Sequence, residues 1–466
     1  MITIYNTLTQ SKAPFEPIHE GKVGLYVCGM TVYDHCHVGH ARVFVTFDMV
    51  VRYLRYCDYD VHYVRNITDI DDKIIARAQE TQQDIQSLTN HFIDCMHEDE
   101  QKLGVLLPDE EPKATEHIDE MIAMIETLVK KGVAYQSSQG DVYFSVKSCP
   151  HYGELTHQNV EQLRVGARVD IINAKQDPLD FVLWKLAKPE EPSWPSPWGD
   201  GRPGWHIECS AMSSHYLGKQ IDLHGGGVDL RFPHHQNEVA QSDMAHDCQS
   251  VNGWMHVGHV QINQEKMSKS LGNFFTLRDV MNDYEPEVIR YFMLASHYRS
   301  PVNYGTDNLE SAKQALTRFY LALRDVEPSA PDDLLDCKFA EKFHQAMCDD
   351  FNTPEAWAVL FDLVRHINTC QQQGQVETAS QHAGLLKHLA GTIGFLQGDP
   401  NEFLRGDLND ALPESIQAMI AAREKARANK DWVKADSIRD ELLAAGMVLE
   451  DGAGQTRWRR RAQRQN

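Results

Sequence analysis

The chain has 466 residues, 42% hydrophobic and 24% charged, which is the composition of an ordinary soluble globular protein with room for two to four domains. Its formal net charge of −22 argues against a surface that binds nucleic acid everywhere, while leaving space for a local basic patch. The first residues show no basic stretch followed by an apolar run, and no apolar stretch approaches the ~18 residues of a membrane span. The ten cysteines form no C-x-x-C pair, so a cytoplasmic chain with reduced thiols is expected.

Residues 23–28 alternate around apolar positions and predict a buried strand. Val43, Phe44, Phe47, Val50, Val51 and Leu54 then recur at helical spacing, predicting a helix over about 40–56, and a second strand follows at 61–65. This β-α-β order predicts a parallel sheet with its ligand site at the carboxyl ends of the strands, where Cys28, His37, His40 and Thr68 fall. Residues from about 93 to 200 differ in character, with an acidic helical stretch, a strand-like segment at 140–146 and a Pro/Trp-rich loop at 189–203, and read as an insertion that splits the sheet. The sheet resumes with a helix (207–217), a strand (221–224), a glycine turn (Gly225, Gly226, Gly227), a helix (233–245) and a strand (255–262). A polar loop around Lys266 follows; Thr276 suits the cap of the next helix and Pro286 the first turn of the one after. Residues 309–397 are apolar at three- and four-residue spacing, implying a helical bundle, and 407–466 form a last unit. From Arg423 to Asn466 there are 11 Lys/Arg and 7 Asp/Glu, a local net charge of +4, which on charge alone reads as a solubilising basic tail.

Three groups of residues carry chemistry. His37-Val38-Gly39-His40 sits where a strand hands over to a helix, and a helix N-terminus favours phosphate through its unpaired N–H groups. The two imidazoles add donors, and Gly39 lets a nucleotide approach the backbone, although two histidines three apart are a weak signal alone. Lys266-Met267-Ser268-Lys269-Ser270 offers two mobile point charges and two hydroxyls on a predicted mobile loop, groups suited to a triphosphate whose geometry changes during reaction. His234 and Glu238, four apart on one helical face, can share a metal ion, with Cys28 and Cys209 as possible further ligands. Among 23 histidines and ten cysteines many such quartets can be drawn, so spacing alone does not select this one.

The two nucleotide motifs together resemble those of the class I aminoacyl-tRNA synthetases. The runs Cys28-Gly29-Met30-Thr31-Val32-Tyr33-Asp34, Trp205-His206-Ile207-Glu208-Cys209-Ser210 and Gly225-Gly226-Gly227-Val228-Asp229-Leu230-Arg231-Phe232-Pro233-His234-His235 are similar to those of the cysteinyl-tRNA synthetase branch, and the resemblance spans nearly the whole chain. Val38 stands where that signature usually has isoleucine, a swap that keeps a β-branched apolar residue.

The resemblance implies an α/β fold: a Rossmann-like parallel-sheet catalytic domain over 1–305 split by the insertion, an α-helical bundle touching the tRNA stem over 306–400, and a small C-terminal anticodon-binding domain over 401–466. It implies one Zn²⁺ held by Cys28, Cys209, His234 and Glu238, and ATP with Mg²⁺ handled by His37, Gly39, His40, Lys266, Ser268 and Lys269. It further implies an amino-acid pocket walled by Thr68, Trp205, His224 and Asp229, and tRNA contacts at Arg427, Trp432, Asp436 and Arg439. The activity implied is ATP-dependent activation of L-cysteine and its transfer to tRNA(Cys) by a monomer without membrane attachment. A cysteine ligase of the mycothiol pathway shares the catalytic resemblance but lacks the last unit, and a catalytically dead tRNA-binding scaffold would not keep Cys28, His40, Lys269 and Glu238.

Overall fold

The structure is a computed structural model that describes residues 1–159, 175–262, 265–266, 275–329, 338–405, 414–445, 447–451 and 456–460. The chain divides into two compact units. The first comprises 1–280, 296–302 and 346–353, and the second 281–295, 303–345 and 354–466.

The first unit opens with a small hairpin, β1 (Thr3–Asn6) and β2 (Ser11–Pro14). The predicted β-α-β follows as β3 (Lys22–Val27), α1 (Val38–Tyr56) and β4 (Asp60–Arg65). Helix α1 begins two residues before its predicted start because His37 serves as its cap. It is buried on most sides; its buried Arg42 donates to the carbonyl of His297 at 2.9 Å, while Asp48 accepts from Arg52 at 2.9 Å and from the Leu106 N–H at 2.8 Å.

Helices α2 (Asp72–Thr81), α3 (Ile85–Leu103) and α4 (Ile118–Lys130) come next. Residue 93 therefore falls inside α3, which runs unbroken from an Asp84 cap to Gly104 at φ 66°. A separate antiparallel sheet follows, in the order β5 (Ala134–Gln136), β6 (Val142–Phe144), β7 (Phe181–Leu186) and β8 (Gly201–Pro203).

The parallel sheet is then completed by α5 (Trp205–Leu217), β9 (Ile221–Gly227), α6 (His234–His246) and β10 (Val251–Val257). Its strand order is β10-β9-β3-β4, and all three pairings are parallel. The chain runs outward from β3 to β4 and returns to β9 on the other side of β3. The crevice at the carboxyl ends of β3 and β9 is therefore the switch point where such sheets bind ligands.

Two expectations are corrected here. The three glycines are not a turn: they are the last three residues of β9, paired with Met255, His256 and Val257. They are glycines because the space above them is taken; a Cβ on Gly225 would lie 2.1 Å from the Phe47 ring, and one on Gly226 2.9 Å from His235. The predicted strand at 255–262 is two strands, β10 and β11 (Val260–Ile262), broken at Gly258, where a Cβ would meet the Ser300 carbonyl at 2.4 Å.

After β11 come β12 (Glu265–Lys266), paired antiparallel to it, and α7 (Leu277–Asp283). Thr276 does cap α7, accepting from the Asp279 N–H at 3.1 Å and donating to its carboxylate at 2.5 Å.

The second unit contains α8 (Pro286–Leu294), with Pro286 in its first turn as expected, then α9 (Thr306–Arg324), most of α10 (Lys338–Cys348) and of α11 (Thr353–Gln372), α12 (Val376–Gly391) and α13 (Pro400–Arg405). Leu316, Phe319, Trp357, Leu360, Leu386 and Phe395 are buried apolar residues here, and the Trp357 indole donates to the carbonyl of Leu294 at 3.2 Å. Helices α14 (Glu414–Ala428) and α15 (Trp432–Ala444) then pack with a hairpin, β13 (Met447–Asp451) and β14 (Thr456–Arg460), around Leu442, Met447 and Leu449. The arginine run is thus not simply a tail: Arg457, Arg459 and Arg460 lie on β14, paired with β13. Arg461 and Arg464 lie outside the described residues. Among the described residues, no helix is long and apolar enough to cross a membrane.

Candidate active site

A cleft of about 300 Å³ opens at the carboxyl ends of β3 and β9. Cys28, His37, Gly39, His40, Trp205 and Asp229 line it, together with Tyr33, Lys73 and the 257–260 segment.

One wall is the start of α1. His37 is the N-cap, and its Nδ1 accepts the His40 N–H at 3.2 Å, while His40 Nδ1 accepts the His37 N–H at 3.3 Å. This reciprocal capping box is built from two imidazoles instead of the usual hydroxyl and carboxylate. The rings stack with centroids 3.6 Å apart and planes 15° from parallel. Because each Nδ1 accepts, the neutral rings carry their protons on Nε2. Thr276 bridges to His37, and the neighbouring Leu277 N–H donates to the Cys36 carbonyl at 2.8 Å, so the backbone leading into α7 is paired with the backbone of the first motif. Lys266 ends β12 with its backbone paired to Gln261; Ser268 and Lys269 lie outside the described residues.

The floor is a cluster that spacing alone did not select. Cys28 follows β3, Cys209 lies on α5, and His234 and Glu238 lie one turn apart on α6. The four ligand atoms are all within 4.8 Å of one another, and all four residues are buried. Cys28 Sγ is 3.5 Å from Cys209 Sγ, 3.4 Å from His234 Nε2 and 3.4 Å from Glu238 Oε1, and His234 Nε2 is 3.0 Å from Glu238 Oε1. These are close to the edges of a tetrahedron centred on a metal, which are roughly 3.3–3.8 Å for ligand bonds of about 2.0–2.3 Å. Two sulfurs, one imidazole and one carboxylate packed this closely are a donor set that could hold a metal ion.

The titration of the cluster agrees with an ion-binding role. Burial, with Cys209 and Glu238 alongside, pushes the Cys28 thiol well above the ordinary thiol value. Burial pushes the Glu238 carboxyl well above its ordinary value, only partly offset by the Cys28 thiol. Burial opposes ionisation of Cys209, yet hydrogen bonds from Cys28 and His234 and the charge on His234 leave its thiol below the ordinary value.

The remaining expected residues stand around this floor. The Trp205 ring stacks on His234, with centroids 4.1 Å apart. Asp229 follows β9 and faces the cleft. Thr68 and His224 do not line the cleft but lie behind its surface. The Thr68 hydroxyl donates to Glu208 Oε2 at 2.8 Å. His224 Nε2 lies 3.5 Å from Cys28 Sγ and 3.4 Å from Glu238 Oε2, close enough to form with Cys28, His235 and Glu238 a second, overlapping ligand set. That set has one sulfur where the first has two.

Three residues here were missed by reading the sequence. His206 Nδ1 lies 2.9 Å from His234 Nδ1, so it fixes the ring whose other nitrogen faces the cluster. Burial, and then the charge of His234, lowers its imidazole well below the ordinary value and keeps it neutral. Glu208, Thr68's partner, is buried, and burial raises its carboxyl. Asn66 follows the carboxyl end of β4, which was the one available signal, since that edge of the sheet is where ligand sites form.

The residues expected to touch tRNA lie in a different setting. Trp432, Asp436 and Arg439 are spaced four and three apart on α15 and are exposed along one face, and Arg427 lies in the last turn of α14. Trp432 is 57% exposed and so is not a core tryptophan.

Comparison with known proteins agrees with this architecture. Residues 14–314 match the family model described as the tRNA synthetases class I (C) catalytic domain, 342–397 match a DALR domain, and 409–459 match a cysteinyl-tRNA ligase anticodon binding domain. The cysteine–tRNA ligase of Shewanella woodyi is 55% identical over 465 residues, covering 99% of this chain and 100% of that one. That of Alkalilimnicola ehrlichii is 57% identical over 462 residues, with 99% and 100% covered. Among solved structures, Mycobacterium tuberculosis methionyl-tRNA synthetase in complex with methionyl-adenylate shares the fold with a TM-score of 0.56 at 13% identity, over 80% of this chain and 89% of that one. The chain belongs to the cysteine–tRNA ligase family of class I aminoacyl-tRNA synthetases.

Proposed function

We propose that this chain activates L-cysteine with Mg²⁺-ATP, giving cysteinyl-adenylate and diphosphate, and then transfers the cysteinyl group to tRNA(Cys), releasing AMP. The observation that carries the reading is the buried Cys28–Cys209–His234–Glu238 cluster on the floor of a cleft whose wall is the His37–His40 pair. The relatives of nearly full length named cysteine–tRNA ligase support it.

The metal is zinc in this reading, since two thiols with one imidazole and one carboxylate make a zinc donor set. When bound, zinc supplies a soft acceptor position for the substrate sulfur and favours its thiolate. Serine offers a poorer ligand, and alanine and valine offer none, so a site built around this contact rejects them by roughly 10⁴ or more without an editing step.

The residues of the chain do the rest. Trp205 and Asp229 bound the amino-acid end of the cleft, with Thr68 and His224 behind it. The cysteine carboxylate, already ionised at neutral pH, attacks the α-phosphorus in line; a carboxylate oxygen–phosphorus bond forms as the bond to diphosphate breaks. No general base is needed, so catalysis is positioning and charge stabilisation. His37 and His40, with protons on Nε2, donate to phosphate oxygens at the N-terminus of α1, where Gly39 leaves the backbone approachable. Lys266, Ser268 and Lys269 stabilise the pentacoordinate state. Arg427, Trp432, Asp436 and Arg439 hold unstacked anticodon bases, the aromatic face by stacking and the polar groups by reading edges. The working form is a cytoplasmic monomer.

Cysteine-dependent ATP–pyrophosphate exchange by the purified chain, paired with metal analysis, tests this reading. Exchange with cysteine, little with serine, and one zinc per chain are expected. No cysteine-dependent exchange from a zinc-loaded chain would overturn it.

A further inference from the structure

Asn66 is 1% exposed and lies one residue beyond β4. Its Oδ1 accepts the N–H of Gly29, the residue after Cys28, at 2.9 Å. The same oxygen lies 3.6 Å from Cys209 Sγ. Its Nδ2 lies 3.5 Å from Thr68 Oγ1. The Gly29 donor decides which end of the amide carries the oxygen, so these contacts are not interchangeable.

We propose that Asn66 is a positioning residue of the metal site: one side-chain amide sets where Cys28 and Cys209 hold their sulfurs and joins them to the amino-acid wall at Thr68. The backbone around Cys28 is held from two sides. On one side the Cys28 N–H donates to the Gly225 carbonyl of β9 at 3.1 Å. On the other, Gly29 presses against Asn66 so closely that a Cβ there would lie 1.6 Å from the Asn66 carbonyl oxygen. Cys28 therefore has no slack along the chain, and the Asn66 side chain is what fastens its outer flank. Removing the acceptor leaves the half-buried Gly29 N–H without this partner and frees the sulfur-bearing segment to shift. Outer partners that orient metal ligands typically change metal affinity by 10–100-fold when lost. The inference rests on the zinc reading above.

The test uses the full metal-loaded chain, titrated with a chromophoric zinc chelator, and its cobalt(II)-substituted form, whose sulfur-to-cobalt absorption reports the sulfur geometry directly. Asn66→Ala is expected to hold zinc about 10–100-fold more weakly and to lose intensity in that absorption. Asn66→Asp keeps an acceptor for Gly29 and is expected to stay within about fivefold of the unsubstituted chain. Should Asn66→Ala not fold, Asn66→Leu, similar in size and without an acceptor, replaces it in the comparison. Unchanged zinc affinity and absorption on losing the acceptor overturn the proposal, as does an Asn66→Asp variant as weak as the one without an acceptor. Neither readout needs cysteine or tRNA. A chain that binds zinc as expected but shows no cysteine-dependent exchange sinks the functional reading and leaves Asn66 in place, whereas a chain that binds no zinc overturns both.

Discussion

The floor of the cleft and the outer face of α15 hold their residues in opposite settings, and in the function proposed above they serve opposite uses. At the floor, Cys28, Cys209, His234 and Glu238 are buried, with His206 against the His234 ring and Asn66 beside Cys209. On α15, Trp432, Asp436 and Arg439 are exposed on one face, and Trp432 has 57% of its surface open to water. The difference teaches how each kind of recognition works. A metal that must reject close analogues needs donors already fixed and dry, because an imperfect shell costs affinity and selectivity together. A surface that takes hold of a single-stranded loop needs accessible faces on a stable helix, because the bases must be splayed onto it.

The contrast predicts that floor substitutions abolish the first step and outer-face substitutions affect only the second. Cys209→Ser should strip the metal and lower cysteine-dependent exchange by about 10³ or more; metal analysis beside the exchange rate checks it, and a fully metallated variant with ordinary cysteine affinity would break the comparison at its stronger end. His40→Ala should slow exchange by about 10²–10³ while leaving metal content intact, since it removes a phosphate donor and half of the α1 capping box but no metal ligand. Single-turnover adenylation measures that loss. Trp432→Ala should leave exchange unchanged and weaken tRNA charging by the ~1–3 kcal/mol of one lost stacking contact, read as a rise in KM for tRNA.

The smallest effect lies between the two extremes. His97 on α3 is half-exposed and meets Glu111 at 2.5 Å, and Glu111 in turn pairs with the buried Arg65 at the end of β4. The Glu111 hydrogen bond raises the imidazole above its ordinary value. Its stabilising contribution is therefore complete below the ordinary imidazole value and is lost as pH rises through the raised one. His97→Gln should lower stability at about pH 5.5 by under ~1 kcal/mol, because water screens the pair, and thermal unfolding at a series of pH values should show that loss shrinking as pH rises above the ordinary imidazole range.

Much of the fold was legible because its signals are local. The apolar spacing from Val43 to Leu54 marked α1, and the alternation before Cys28 marked β3. The caps at Thr276 and Pro286 depend only on side chains within one turn. The glycines of β9 misled for the same reason: glycine reads locally as a turn, but here it answers to the Phe47 and His235 rings, which pack above the strand from other elements. Trp432 could be core or surface by its sequence, and only packing places it outside. The 267–274 stretch, which holds Ser268 and Lys269, lies outside the described residues, so their place in the site remains an expectation drawn from their motif.

By itself the sequence determined the order of elements, the two nucleotide motifs and the family resemblance, because each is carried by residue types at fixed short spacing. Tertiary structure decided which cysteines and histidines meet. Cys28 and Cys209 are 181 positions apart, and nothing in their spacing brings them within 3.5 Å. The parallel pairing of β3 with β9, and the packing of α5 against α6, do so. The helix packing sets His206 against His234, and the parallel pairing of β3 with β4 sets Asn66 against Gly29 and near Cys209. Partners of that kind are invisible to periodicity because their role lies in distances between elements and not within one.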